Sequence, residues 1–434
     1  MTMRVSVLLS LALAAAPLAA QSPAPRTLTL AQAIALGRER GVSAALARIN
    51  ERIANARVGQ RRADLLPSVT VSGSALRQTL NLDEFGIPVA TGVTDPFDVW
   101  RFQARATQTL FDASSLARLR SAKDSALAVG ADARAVGELS AAAAGLAYLR
   151  VQSADETVRA RQADSAVSSD LLAQSRQQVS AGTSPAIDET RSETQLAGVL
   201  TQLEVARNQR DRTRLDLART LDLPPETPLV LSDTLGAPEN DLPKDGDAAV
   251  AFALEHRNEV VAERGRTKVA ERSLKAIGLE YVPNLSLGGA YTESGRDMGT
   301  LKGTYAVQVQ LSLPLLDGFR RPARQQESAA RLEAQRLRQH DTEQQVAVEA
   351  RQAILDQTSA DHQVALAADR LRLAELELAQ AKERFVAGVA GSVETTTAQG
   401  GLVAARDGFI QARVNAAVAR VSVRRALGVL DQTP

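Results

Sequence analysis

The run Thr304-Tyr305-Ala306-Val307-Gln308-Val309-Gln310-Leu311-Ser312-Leu313 sets a ring or branched apolar side chain against a small or polar one at every step. Successive side chains of a strand point to opposite faces, so this decapeptide predicts a strand with one apolar and one polar face. About ten residues is also the length of a strand tilted across a bilayer. The stretch 284–291 repeats the pattern, with Leu285, Leu287 and Tyr291 against Asn284 and Ser286. Earlier in the chain Val69 and Val71 alternate with Thr70 and Ser72, and Trp100, Phe102, Ala104 and Ala106 alternate with Arg101, Gln103, Arg105 and Thr107. A half-buried sheet in a water-soluble domain alternates in the same way, so the pattern alone leaves both settings open.

These strands belong to a chain that is written twice. Leu66-Pro67-Ser68-Val69-Thr70-Val71-Ser72-Gly73 returns as Val282-Pro283-Asn284-Leu285-Ser286-Leu287-Gly288-Gly289, 216 residues later. Thr109-Leu110-Phe111-Asp112 returns as Pro314-Leu315-Leu316-Asp317 after 205 residues. Val179-Ser180-Ala181-Gly182, followed by Ile187-Asp188, returns after 206 as Phe385-Val386-Ala387-Gly388, followed by Val393-Glu394. Three landmarks in one order mark a tandem duplication.

Each copy predicts the same elements. The first repeat, 21–221, holds a helix over 30–64 with Ile34, Leu46, Ile49, Ile53 and Val58 on its apolar side. Strands follow at 66–80 and 98–110, then a long helix at 112–180 and another helix at 186–221. Ser184 reads as an N-cap before Pro185. Residues 222–246, rich in Pro and Asp, form a linker. The second repeat, 247–430, holds a helix at 247–281, strands at 282–294 and 303–314, a long helix at 317–387 and a helix at 392–429; 431–434 is a tail. At 1.5 Å per residue the segment 112–180 spans roughly 100 Å, far beyond a globular helix. The two shorter helices of each copy together match the long one, so they are expected to stack end to end beside it. Aromatics are only 3% of the chain, which suits close packing of small side chains rather than a large globular core.

Arg4, the apolar run Val5–Ala16 and Pro17-Leu18-Ala19-Ala20 predict a signal peptide over 1–20. Its loss removes one basic residue from a chain of charge +1, so the exported protein is expected to be neutral, which argues against a nucleic-acid partner. Without cysteine there is no disulfide, thiol nucleophile or lipid-anchor site. His256, His340 and His362 lack metal-ligand spacing, and no phosphate loop or nucleophile elbow occurs. No catalytic residue, cofactor or metal is expected.

Four strands cannot close a barrel, and lipid does not tolerate an open sheet edge. Several protomers must then share one barrel, and three would give twelve strands. Together with Leu28-Thr29-Leu30-Ala31-Gln32-Ala33 and Ala426-Leu427-Gly428, the duplicated landmarks resemble the outer-membrane efflux protein family, the TolC-like exit ducts. The resemblance implies a mainly α chain with transmembrane β, forming a homotrimer with a twelve-stranded outer-membrane barrel. A helical tunnel crosses the periplasm below it, encircled by an equatorial region that includes part of 222–246. It also implies a periplasmic adaptor and an inner-membrane pump as partners, in drug or metal efflux or type I protein secretion. A pore-less adaptor, a coiled-coil scaffold or an adhesin stalk is the competing expectation.

Within that plan Trp100 and Tyr305 would join the membrane girdle, and Pro67, Pro283 and Pro314 would mark strand–helix junctions. Loops 81–97 and 295–302 would form the outer rim. The turns with Gly182, Ser184, Gly388 and Ala390 would form the periplasmic tip. The resemblance places Glu394 at a gate-acid position and Asp188 at its counterpart, each repeated three times around an opening. Thr397 stands where a second gate acid is expected, Ala390 where an Arg is expected, and Phe385 where a Tyr is expected. Helix N-terminal capping is the simpler role for both acids, and helix termination is the simpler role for both glycines.

Overall fold

The computed structural model describes residues 26–85, 92–233, 243 and 245–430. The expected signal peptide, the 431–434 tail, residues 86–91 of the first rim loop and 234–242 and 244 of the linker lie outside these.

Four strands form one antiparallel sheet in the order β2-β3-β5-β6: β2 (Ser68–Gln78), β3 (Phe97–Phe111), β5 (Asn284–Gly295) and β6 (Lys302–Ser312). The two hairpins share one register. Val69 lies opposite Ala106 and Val71 opposite Ala104 in the first; Leu285 lies opposite Leu311 and Leu287 opposite Val309 in the second. Directly opposed residues share a face. One face therefore carries Val69, Val71, Trp100, Phe102, Tyr291, Tyr305, Val307, Val309 and Leu311, and the other carries Ser72, Arg101, Gln103, Arg105, Thr292 and Gln308. The apolar face is unprotected within one protomer: Tyr305 is 84% and Val71 77% exposed. Leu110 is the extra residue of a bulge between Thr109 and Phe111, just before β3 passes into a helix.

Helices make up most of the remaining described residues. α3 (Ala113–Ser180) and α7 (Arg320–Val386) are the long ones. Against α3 pack α2 (Val42–Ala63) and α4 (Ile187–Thr220), and against α7 pack α6 (Asn258–Gly278) and α8 (Ser392–Leu427). Contacts between α3 and α6 above, and between α3 and α8 below, join the repeats. The helices thus run side by side as α2-α3-α6-α7 next to the sheet and α4-α3-α8-α7 at the far end. Among the described residues no helix is long and apolar enough to cross a membrane.

The structure departs from the sequence expectations in several places. The helix expected over 30–64 is two, α1 (Leu30–Arg40) and α2, broken at Gly41. The one expected over 247–281 is also two, α5 (Gly246–His256) and α6, broken at Arg257 and followed by a 3-10 turn at Leu279–Tyr281. Both break residues leave the helix for extended ψ angles near 126–129°, and they are 216 residues apart, the spacing of the first duplicated landmark. The linker is partly structured: β4 (Leu229–Leu231) pairs in parallel with β1 (Arg26–Leu28), adding a small second sheet. α7 starts at Arg320 rather than 317, because Gly318 and Phe319 both take left-handed φ, at 64° and 62°. In the first repeat Asp112 caps α3 directly, accepting from the amides of Ser114 and Ser115.

The main core lies where β1, β4, α1 and the C-terminus meet the middle of α3. Tyr148 is fully buried there; its hydroxyl donates to the Leu28 carbonyl at 3.1 Å, and burial pushes its pKa up to about 12. A second core joins α5, α7 and the end of α8. Here Arg257, 3% exposed, holds Glu259 at 3.0 Å and Glu349 at 2.6 Å. Burial works to raise both carboxyl pKa values, but the guanidinium outweighs it and holds both below the ordinary range.

Candidate functional site

The end of the molecule farthest from the sheet is built from two helix turns of one design. After α3, Ala181 caps the helix and Gly182 takes φ 72°; the Gly182 amide donates to the Val179 carbonyl and the Thr183 amide to Gln178. After α7, Gly388 takes φ 70°, its amide donates to Phe385, and the Val389 amide donates to Arg384. This paired pattern closes a helix with a left-handed residue, which glycine adopts at least cost. Ser184 is not the N-cap of α4. The helix starts two residues later with Ala186 at the cap position and no side-chain cap, and the Ser184 hydroxyl bonds the Gln178 side chain instead. Ala390 follows the second turn, its amide reaching the Arg384 carbonyl at 3.3 Å.

The side chains on this shared backbone differ. Asp188, in the first turn of α4, is 5% exposed and accepts from the Ser392 hydroxyl at 2.5 Å, with Arg191 at 3.6 Å. Glu394, in the first turn of α8, is 44% exposed at its side chain and pairs with Arg384 of its own hairpin at 3.0 Å. Thr397 turns back onto its helix, donating to the Val393 carbonyl. Phe385 is buried, and its carbonyl accepts from Gln178 at 3.0 Å.

Asp188–Ser392 and Gln178–Phe385 are the first links of a polar seam between the α3/α4 and α7/α8 hairpins. Gln399, 1% exposed, donates to Ser168. Asp164, 2% exposed, takes Arg406 at 2.5 Å and Arg161 at 2.9 Å, while Arg161 also holds Asp407. Burial opposes the Arg161 charge, yet bonds to Asp407 and Asp164 raise its pKa. Apart from Asp188 and Phe385, the seam residues escaped the sequence reading because the partners that join the hairpins lie more than 200 residues apart. Their local signal was Asp164, Ser168 and Ser175 recurring at helical spacing on the face that also carries Val158, Leu171 and Leu172.

At the other end the sheet supplies a wall with two chemistries. Gln103 donates to Thr292 across the polar face at 3.0 Å. Trp100 and Tyr305 share the apolar face but not a level: Trp100 lies opposite Gly295, and Tyr305 lies opposite Tyr291, four residues lower on β5. Pro67 and Pro283 immediately precede β2 and β5, and Pro314 sits between β6 and α7, where its carbonyl accepts from Arg321 at 2.7 Å. At all three positions the missing N–H falls outside a ladder. Glu280, beside these junctions, is held below the ordinary carboxyl range because Arg324 and Arg118 outweigh its burial.

The two halves of this architecture match one sequence profile. Residues 33–222 and 250–429 both fit the outer membrane efflux protein profile. The chain belongs to the outer membrane efflux protein family. It is an outer-membrane channel protein reaching into the periplasm, and membership separates this reading from the adaptor and stalk alternatives. Members of the family are channels rather than enzymes. No curated protein matches the chain. The fold is similar to the Campylobacter jejuni CmeC outer membrane channel (TM-score 0.81, 16% identity, covering 92% of this chain and 86% of that one). It is similar to the Vibrio cholerae outer membrane protein VceC (0.80, 16%, 92% and 96%). The open state of the Neisseria gonorrhoeae MtrE channel also resembles it (0.75, 19%, 92% and 89%).

Proposed function

We propose that three copies of this efflux protein form one exit duct, each giving four strands to a shared barrel and four helix columns to a tunnel below it. The observation that carries this reading is the open sheet: β2 and β6 each present an unpaired edge flanked by an exposed, mainly apolar face, with Glu293 and the Arg77–Asp98 pair only toward the end nearest the hairpin loops. Such edges are untenable in lipid and are satisfied when β2 of one copy pairs with β6 of the next. The outermost helices carry matching unpartnered stripes. On α2 these are Leu46, Ile49 and Ile53; on α7 they are Leu337, Val348, Leu355, Leu366 and Leu373, spaced 11 and 7 residues apart. Those spacings keep one helix face toward a neighbour.

The duct works by passage and gating, with no catalytic residue, cofactor or bound metal. Cargo enters at the tip from a periplasmic adaptor and an energised inner-membrane pump and leaves through the barrel. The two repeats divide the gate. Asp188 latches the hairpins through Ser392, and the backbone of buried Phe385 adds a second tie through Gln178. Glu394 and Thr397, exposed and threefold repeated, face the opening, and the turns at Gly182, Ser184, Gly388 and Ala390 are the rim that moves. Repeat boundaries follow the sequence reading, 21–221 and 247–430, with 222–246 between them at the equator. Trp100 holds the barrel at the outer membrane interface, Tyr305 faces the lipid four strand residues lower, and Pro67, Pro283 and Pro314 mark the lower rim.

Detergent extracts of outer membranes test the assembly. Heat-resistant trimers that give single-channel currents in planar bilayers are expected; a fully soluble periplasmic monomer would overturn the reading.

A further inference from the structure

Directly below the apolar face of the sheet, between the start of α3 and the end of α6, lies a groove of about 420 Å³. Its upper wall is apolar, made by Phe111, Leu116 and Leu279; its lower wall carries Arg120 and Lys275. Phe111 lies opposite Leu285, on the face that also carries Leu311. The groove therefore opens on the lipid side of the molecule and not into the tunnel. It also lies between the two inner columns of the α2-α3-α6-α7 row, so a neighbouring copy added at either edge leaves it uncovered.

Depth and charge point to one kind of occupant. Arg120 is eight residues along the helix from Asp112, and Lys275 is six before Tyr281. Their backbones thus sit roughly 10 Å below the last strand residues. The headgroup layer extends about 6 Å beyond the hydrocarbon, and long basic side chains bridge the remaining gap by snorkelling. Charges nearby are already committed: Arg272 is paired with Asp124 and Glu271 with Arg336. Among the described residues Arg120 and Lys275 have no hydrogen-bond or ion-pair partner, and both are exposed. Below them Lys123 and Lys268, equally unpaired, line the next groove along the same helices. The surface under the lipid band is thus basic, with an apolar slot leading down to it.

We propose that this groove binds the phosphate of an anionic phospholipid from the periplasmic leaflet, with an acyl chain against Phe111, Leu116 and Leu279 and the phosphate between Arg120 and Lys275. One such lipid per protomer would fix the height of the duct in the membrane independently of the aromatic residues.

The test is native mass spectrometry of the purified, assembled protein in micelles containing equal phosphatidylglycerol and phosphatidylethanolamine. Each basic side chain near an anionic surface is worth about a fivefold preference, so about a twenty-fivefold excess of retained phosphatidylglycerol is expected. Arg120→Gln with Lys275→Gln should bring retention down to the phosphatidylethanolamine level. Lys275→Gln alone should lower it about fivefold, a readout that survives if the double variant assembles poorly. Millimolar inorganic phosphate should leave retention unchanged. Equal retention of both lipids by the natural chain, unchanged retention by the variants, or displacement by free phosphate would each overturn the proposal. Currents recorded from the same preparations report on the duct itself, so failure of the channel reading is seen separately.

Discussion

The two repeats agree in backbone at two matched places and disagree there in side chains. At the upper break both helices bend at the same position of the repeat. The first copy has Gly41, whose added Cβ would lie 2.5 Å from the Gly37 carbonyl; the second has Arg257, buried between Glu259 and Glu349. At the tip both long helices end on a left-handed glycine, but the acid that follows is buried and shared between hairpins in the first copy, and exposed and locally paired in the second. Duplication preserved the path of the chain, while the copies parted in what each side chain must hold. A repeat that meets a different neighbour on each flank has no reason to keep identical contacts.

The largest effect should come from the Arg257 site. Arg257→Gln leaves two carboxylates facing each other without their cation and should cost about 3 kcal/mol, whereas Gly41→Ala, which forces the turn to shift, should cost about 2 kcal/mol. Thermal melts of the purified protein would rank them. The pH dependence sharpens this contrast. Glu259 and Glu349 both titrate below the ordinary 4.5, so their contribution is complete above that value and is lost as pH falls through the folded-state values. The natural chain should therefore lose stability on acidification below about pH 4.5, more than Arg257→Gln does. Equal losses in the two proteins would break the argument.

Next comes the buried acid at the tip. Asp188→Ala removes the acceptor of the Ser392 hydroxyl and should loosen the seam by about 2 kcal/mol, seen in planar bilayers as about a thirtyfold rise in the open-to-closed ratio. The glycines should behave alike, since nothing lies within 4 Å of either Cβ position and both take positive φ. Gly182→Ala and Gly388→Ala should each cost about 1 kcal/mol, measured as faster proteolysis at the tip; a twofold difference in cost between them would show that the turns are not equivalent. Smallest is Glu394→Ala, an exposed pair worth about 0.5 kcal/mol or less, so its effect should appear in cation block or conductance rather than in stability. Unchanged conductance and block would leave it only a capping role.

The sheet and the long helices were legible because their causes are local. Alternation at 304–313 fixes a strand by itself, and the Gly182 and Gly388 turns carry their own punctuation. The helix breaks were not legible: Gly41 and Arg257 sit inside continuous helical patterns and are decided by what packs against them. The β1–β4 pair was hidden because three-residue strands carry too little pattern and are held by Tyr148 and neighbouring elements over 100 residues away. At the tip the positions of Asp188 and Glu394 were readable but their environments were not, since burial of Asp188 depends on Ser392, 204 residues on.

The open edges of the four-stranded sheet have a consequence for supply. A lone copy has no stable place in lipid, because β2 and β6 would each leave a row of backbone groups unpaired. On the proposed assembly, insertion and trimer formation are then a single event drawing on three free copies. Where free copies are scarce, the yield of ducts follows the cube of their concentration, so halving synthesis lowers the number of ducts about eightfold. The cell's export capacity would answer to the dose of this chain as a threshold.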